Sequence, residues 1–186
     1  MADRYIDFMV ALKGSAPRTL HEYIRLLGNA SSRFCRSWIA GDIDDVKATS
    51  EEAFGMLDHI QNELLRSRDD RRDLRTWPGS DLQAALAARV GDLVEPTSPA
   101  IESTFRCQPV GSGAIPIAST VIPLKLAAAL NKLKHRSSNS VNFTVSDGDV
   151  HKIVFLTLGG NNRPNSISSF EVQAFCAACR TAANAV

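Results

Sequence analysis

The run of residues 130–143 concentrates the residue types that catalyse reactions or bind anions. Asn131 and His135 are four residues apart, as are Lys132 and Arg136, and residues at that spacing lie on one side of a helix. Histidine titrates near neutral pH and can act as a general base, while neighbouring cations bind phosphate groups. The pattern therefore predicts either a catalytic site or an anion-binding site at the end of a helix.

The anion-binding hypothesis depends on cations at this helix end and on the hairpin that follows it. The candidate residues are Lys132, Lys134, Arg136, Lys152 and His151. Their partner would be RNA or an acidic protein. The alternative is structural, because basic residues in the last turn stabilise the negative end of the helix dipole and His135 can cap a carbonyl. Both interpretations remain open from the sequence.

The same stretch resembles a signature in a group of uncharacterised bacterial proteins. That signature is L-N-x-x-K-H-R, then N-F, then a hairpin with a histidine and a closing helix with F-C-x-x-C. The matching residues here are Leu130, Asn131, Lys134, His135, Arg136, Asn142, Phe143, His151 and Phe175 to Cys179. The resemblance covers the chain from Leu130 onward and implies membership of the group rather than an activity.

A more distant similarity is to HEPN-type helical domains, many of which are ribonucleases of toxin or phage-defence systems. Asn131 and His135 match the Asn-to-His spacing of their motif, and Leu130 stands where that motif has an arginine. The resemblance implies a metal-independent ribonuclease in which His135 is the base and Asn131 orients it. Arg136 would then stabilise charge on the cleaved phosphate. The resemblance also implies a helical bundle that forms homodimers.

The four cysteines raise the question of a metal site. Cys176 and Cys179 form a Cys-x-x-Cys pair, and Cys107 could supply a further zinc ligand. Structural zinc sites usually show two closely spaced pairs, and the sequence contains one. We therefore expect no metal and no cofactor, with Cys176 and Cys179 as small apolar core residues of a helix. A zinc site is the weaker alternative.

Periodic apolar residues predict helices through residues 1–94. We expect a short helix over 3–12 and two long ones over 19–41 and 44–75, because their apolar residues recur at spacings of three and four. Ser31 continues the stripe of the first long helix, and Asp44 or Asp45 begins the second. A shorter predicted helix begins at Ser80 or Asp81 and carries Leu82, Leu86, Val90 and Leu93. Antiparallel packing of these stripes predicts a helical bundle.

Residues 95–119 are rich in proline and glycine and are predicted to connect two parts of the fold. They form a domain boundary, an active-site or interface loop, or a region of short strands. Residues 120–186 then predict a helix from Thr120, a β-hairpin that turns at Asp147-Gly148, and a closing helix from Ser168 or Ser169. The expected fold class is mainly α, of the α+β type, with residues 120–186 packed on the bundle as a single domain.

Composition excludes some functions and favours others. The chain has 186 residues and a net charge of +1, so no overall field draws it to nucleic acid or membrane. With no signal peptide or membrane span, we expect a soluble cytoplasmic protein with reduced cysteines. The favoured function is a small intracellular binding or regulatory protein, not an enzyme. It would bind RNA or another anionic partner through the basic helix end 132–136, and a HEPN-like ribonuclease is the alternative.

Overall fold

The computed structural model of the chain describes residues 18–146, 150–160 and 164–186. The helix predicted over residues 3–12 lies outside these ranges. Within them the chain forms six helices and five strands. In chain order these are α1 (Arg18–Ala40), α2 (Ile43–Asp73), α3 (Asp81–Leu86), β1 (Arg89–Val94), α4 (Pro99–Arg106), β2 (Ile122–Lys125), α5 (Leu126–Lys134), β3 (Arg136–Ser146), β4 (Val150–Thr157), β5 (Ser166–Glu171) and α6 (Val172–Asn184).

The two long helices are confirmed, and they pack against each other through the apolar stripes that predicted them. The buried residues of these stripes include Leu20, Ile24, Leu27, Ile60 and Leu64. α2 begins after Asp42, whose carboxylate accepts a hydrogen bond from the Asp45 backbone N–H. The residue that caps α2 is therefore Asp42, and not Asp44 or Asp45 as predicted. None of the helices in the described ranges is long and apolar enough to cross a membrane.

The strands form one antiparallel sheet in the order β2-β1-β5-β4-β3. β3 and β4 are the strands of the predicted hairpin, with Val141 opposite Phe155 and Val145 opposite His151. The turn predicted at Asp147-Gly148 lies outside the described residues. The α+β class is therefore confirmed. The hairpin is not an appendage of a helical bundle, however, because β4 continues through β5 into β1 and β2. The core lies between this sheet and the helices α1, α2, α3, α5 and α6.

The prediction of a helix from Ser80 through Leu93 is wrong beyond Leu86. α3 ends at Leu86, and Val90 and Leu93 lie in β1. Val90 and Leu93 are three residues apart, which is a helical spacing. In a strand they point to opposite faces, and both can be buried because both faces of β1 are covered. β1 also contains an irregularity, because its register with β2 shifts between Arg89 and Gly91.

Gly91 permits the close approach of β1 and β5. A Cβ atom at this position would collide with the backbone carbonyl oxygen of Ser169 on β5. We expect Gly91→Ala to lower the free energy of unfolding by about 1–3 kcal/mol, the usual cost of overpacking, as measured by urea denaturation. Gly55 in α2 has open space around it, so Gly55→Ala should instead raise stability by about 0.5–1 kcal/mol. Equal effects of the two substitutions would contradict the β1–β5 pairing.

Residues 95–119 pack on the sheet instead of spanning a gap. After a cis peptide bond between Glu95 and Pro96, the chain forms α4 on the sheet face opposite α1 and α2. The apolar residues that meet there are Val94, Ile101, Phe105, Ile115, Val154, Leu156 and Ile167. The segment then follows the free edge of β3, where the Gly113 N–H donates to the Phe143 carbonyl at 2.8 Å. The Thr144 hydroxyl donates back to the Gly113 carbonyl at 2.6 Å.

Two predicted helix starts in the C-terminal part are corrected. The residues after Thr120 form β2, and α5 begins only at Leu126. Ser168 and Ser169 lie inside β5, and the closing helix α6 begins at Val172. Serine favours helix N-termini, which explains the prediction. These serines are instead small side chains in a central strand whose two faces are both covered, and both are fully buried.

Candidate ligand-binding site

A cavity of about 450 Å³ lies between the α1–α2 helices and the sheet face that carries Phe155 and Phe170. Its walls come from α1, α2, the end of α5, and strands β3, β4 and β5. Most of the wall is apolar and includes Leu27, Ala30, Phe34, Ala53, Leu57, Leu133 and Ile153. Spaces of this size with apolar walls and a few polar groups are typical of small-molecule sites.

One end of the cavity is polar, because His151 on β4 meets Ser31 on α1. Strand alternation places His151 on the same face as Phe155. His151 Nδ1 lies 3.0 Å from Ser31 Oγ, and the imidazole stacks on the Phe34 ring at 4.6 Å. Burial lowers the pKa of His151 to about 4. The ring is therefore neutral at pH 7, with one nitrogen as a donor and the other as an acceptor.

The other end of the cavity is exposed to solvent beside Arg136, the first residue of β3. The Arg136 guanidinium lies 3.3 Å from the Asp58 carboxylate and 4.0 Å from the centre of the Phe54 ring. It also donates a hydrogen bond to the Leu133 carbonyl. The Arg136 side chain is 12% exposed and that of Asp58 is 46% exposed. The cation is thus held within the protein, while its carboxylate partner is largely solvated.

The two polar groups lie at different places along the cavity wall. Arg136 is paired with Thr157, which lies six positions from His151 on β4. The α2 residues that line the cavity run from Thr49 to Asp58, roughly 14 Å along the helix at about 1.5 Å per residue. The wall between the two polar groups is mostly apolar.

Thr49 adds a polar group to the α2 wall, nine residues along the helix from Asp58. This α2 residue is fully buried, and its hydroxyl has no hydrogen-bond partner among the described residues. A buried hydroxyl without a partner costs about 1–3 kcal/mol. A polar ligand atom or a water molecule in the cavity would remove that cost.

The residues predicted for catalysis do not converge. His135 is exposed at the C-terminus of α5, where its backbone N–H donates to the Lys132 carbonyl. The Asn131 side chain donates to the Ala127 carbonyl of its own helix at 2.9 Å. Of the three predicted catalytic residues, only Arg136 lines the cavity.

The predicted anion-binding residues are also divided. Lys132 donates to the Glu95 carboxylate at 3.0 Å and to the Ser166 hydroxyl at 2.8 Å. Lys152 lies on the opposite face of β4 from His151, because successive strand residues alternate. Lys134 lines the cavity with Arg136, and His151 lies at its far end. The structure therefore brings three of the five residues to one cavity, but not to one basic surface.

The cysteines are consistent with core packing. Cys176 and Cys179 are fully buried in α6, as expected for small core residues, whereas Cys107 is exposed after α4. Burial raises the pKa of the Cys176 thiol to about 11 and that of Cys179 well above its ordinary value. Across residues 18–146, 150–160 and 164–186, no three His, Cys, Asp or Glu side chains are grouped so that they could hold a metal ion.

The contribution of α1 and α2 to the site was missed by sequence reasoning. Ser31 and Thr49 are polar residues at buried positions of α1 and α2, and both line the cavity. A polar residue at a core position of a helix was the available signal. Phe54 and Asp58 gave no such signal, because each is an ordinary residue on the partly exposed side of α2.

Comparison with protein-family models, curated proteins and solved structures finds no significant match to this chain. The chemistry of the site is therefore inferred from its own geometry.

Proposed function

We propose that the protein binds a small, mostly apolar molecule in the cavity between α1, α2 and the sheet. The observation that carries the proposal is the cavity, which combines apolar walls with polar groups at both ends and the Thr49 hydroxyl, which has no hydrogen-bond partner among the described residues. The cavity is open to solvent at one end, where the lining residues Phe54 and Val141 are exposed. A bound molecule would displace water from the apolar walls.

The size of the cavity sets the size of the ligand. Its volume of about 450 Å³ lies within the range of small-molecule sites. It corresponds to roughly fifteen water molecules at their share of liquid volume. A molecule with a single apolar chain of moderate length would fill it. Displacement of water from apolar walls would supply most of the binding free energy.

The proposed function is that of a binding protein, which is also the function that the sequence favours. The ligand, however, is a small apolar molecule instead of RNA or another anionic partner. RNA binding through residues 132–136 receives less support, because Lys132 pairs with Glu95 and Arg136 pairs with Asp58. Paired cations release fewer counterions when they meet phosphates. The ribonuclease alternative also receives less support, because the base His135 lies outside the cavity.

Filling the cavity should abolish binding of a neutral apolar fluorophore such as N-phenyl-1-naphthylamine. Ala53 lies on the cavity wall in α2, so a tryptophan side chain there would occupy the space that the fluorophore needs. We expect Ala53→Trp to raise the dissociation constant, measured by fluorescence titration, at least about tenfold.

Ala48→Trp is the matched control, because Ala48 is an exposed residue of the same helix outside the cavity wall. This variant should bind the fluorophore as the wild type does. Near-ultraviolet circular dichroism would establish that both variants are folded. A wild type that fails to bind, or equal binding by all three proteins, would refute the proposed function.

A further inference from the structure

We infer that the ligand carries a single carboxylate, which binds Arg136 in place of Asp58 while its apolar body extends along the cavity toward His151. This inference rests on the proposed function and specifies the chemical class of the ligand. The exposed end of the cavity, the charge of its wall and the geometry of the Arg136–Asp58 pair support it independently of one another.

The charge of the wall favours an anion. Among the described residues that line the cavity, the charged side chains are Lys134, Arg136 and Asp58. The buried imidazole of His151 adds no charge at pH 7. Two cations and one carboxylate give these lining side chains a net charge of +1. One additional carboxylate would neutralise it, whereas a ligand with a cationic head group would be repelled.

The Arg136 guanidinium is held in place by groups other than Asp58. The Leu133 carbonyl accepts a hydrogen bond from it, and the Phe54 ring lies against it at 4.0 Å. With only 12% of its side chain exposed, Arg136 has little freedom to follow a departing partner into solvent. Its donors therefore remain in position when the carboxylate partner changes.

Asp58 is a replaceable partner. Its Oδ1 accepts from the two terminal nitrogens of Arg136 at 3.4 Å and 3.3 Å. Charge-assisted hydrogen bonds of this type are usually 2.7–2.9 Å long, and a carboxylate that engages the guanidinium with both oxygens gains strength and specificity. Nearly half of the Asp58 side chain is exposed, so Asp58 can return to water at low cost.

The remainder of the cavity fits the apolar part of such a molecule. From Arg136 the walls continue as Leu133, Leu57, Ala53 and Phe155. The cavity therefore presents Arg136 and Lys134 at its exposed end, then an apolar passage, and then the neutral His151–Ser31 pair. A linear monocarboxylate matches this order of groups. Two carboxylates would not match it, because the far end holds no cation among the described residues that line it.

The test compares decanoate with decan-1-ol, which have the same chain and differ in the head group. Each competes with N-phenyl-1-naphthylamine for the full-length protein at pH 7.5, below the concentration at which decanoate forms micelles. We expect the wild type to bind decanoate at least about tenfold more tightly than the alcohol. Arg136→Gln should abolish this preference, so that the ratio of the two affinities falls to about one.

Asp58→Asn is expected to increase affinity for decanoate, whereas a misfolded variant would lose it. Removing the competing carboxylate should raise decanoate affinity about threefold to tenfold relative to decan-1-ol affinity. Lys132→Gln is the control, because Lys132 is a cation of the same helix end that lies outside the cavity wall. It should change neither affinity.

Equal affinity for the two compounds would overturn the inference while leaving the proposed function intact. An unchanged decanoate affinity in both Arg136→Gln and Asp58→Asn would overturn it as well. Failure of the fluorophore and both compounds to bind the wild type would instead refute the proposed function. The two claims therefore fail on different results.

Discussion

Replacing Phe155 with alanine is expected to lower the free energy of unfolding by about 3–5 kcal/mol. Phe155 is fully buried on β4, and its ring meets that of Phe170 edge to face at 6.0 Å. It also forms part of the cavity wall. Truncation would extend an existing cavity, and rigid strands on both sides prevent the neighbours from closing the gap. Urea denaturation with an unchanged m-value would measure the loss.

Phe54→Ala is the matched control for this prediction. The Phe54 side chain is 56% exposed beside Arg136, so its removal should cost less than about 1 kcal/mol. A typical domain is stable by about 5–15 kcal/mol, and Phe155→Ala would remove a large part of that. A loss no greater than that of Phe54→Ala would mean that β4 does not lie in the core as described.

Acidification from pH 7 to pH 4 is expected to remove about 3 kcal/mol of stability through His151 alone. Burial lowers the pKa of this group from 6.5 to about 4 in the folded protein. The folded state therefore binds fewer protons than the unfolded state between these two values. Stability contributed by the neutral imidazole is complete above pH 6.5 and decreases as the pH falls toward 4. The measurement is unfolding free energy at a series of pH values.

His151→Phe removes the titration while retaining an aromatic ring against Phe34. Its stability should fall less steeply than that of the wild type between pH 6.5 and pH 4. His135→Gln is the control, because His135 is an exposed histidine at the end of α5. Parallel pH profiles for the wild type and His151→Phe would show that His151 is not buried beside Ser31.

The long helices α1 and α2 were predictable because their packing surfaces repeat within a few residues along the chain. The hairpin β3–β4 was predictable for a similar reason, since apolar and polar residues alternate along β3 and β4 is rich in residues that favour strands. β1 and β5 were not, because their strongest partners are distant in sequence, with Gly91 opposite Phe170. Nothing local in the serine-rich β5 distinguishes a buried central strand from the start of a helix.

The candidate site was predictable in part. Arg136 and His151 were both singled out by residue type, and both line the cavity. Their grouping with Lys152 was not reliable, because it depends on which face of β4 each residue occupies. His135 adjoins Arg136 in sequence and lies outside the cavity wall. The α2 residues Thr49 and Asp58 become recognisable only when the helix is placed over the sheet.

The central claim is that a small apolar molecule occupies the space between α1, α2 and the sheet. Its most direct test is a titration of the isotope-labelled protein with decan-1-ol, followed by ¹H–¹⁵N correlation spectra. We predict that the largest shifts fall on the cavity wall, at residues such as Ala30, Ala53 and Ile153. Residues of α4 such as Ile101 and Phe105, which pack on the opposite sheet face, should be unaffected. Shifts concentrated on α4, or no shifts at any concentration, would contradict the account.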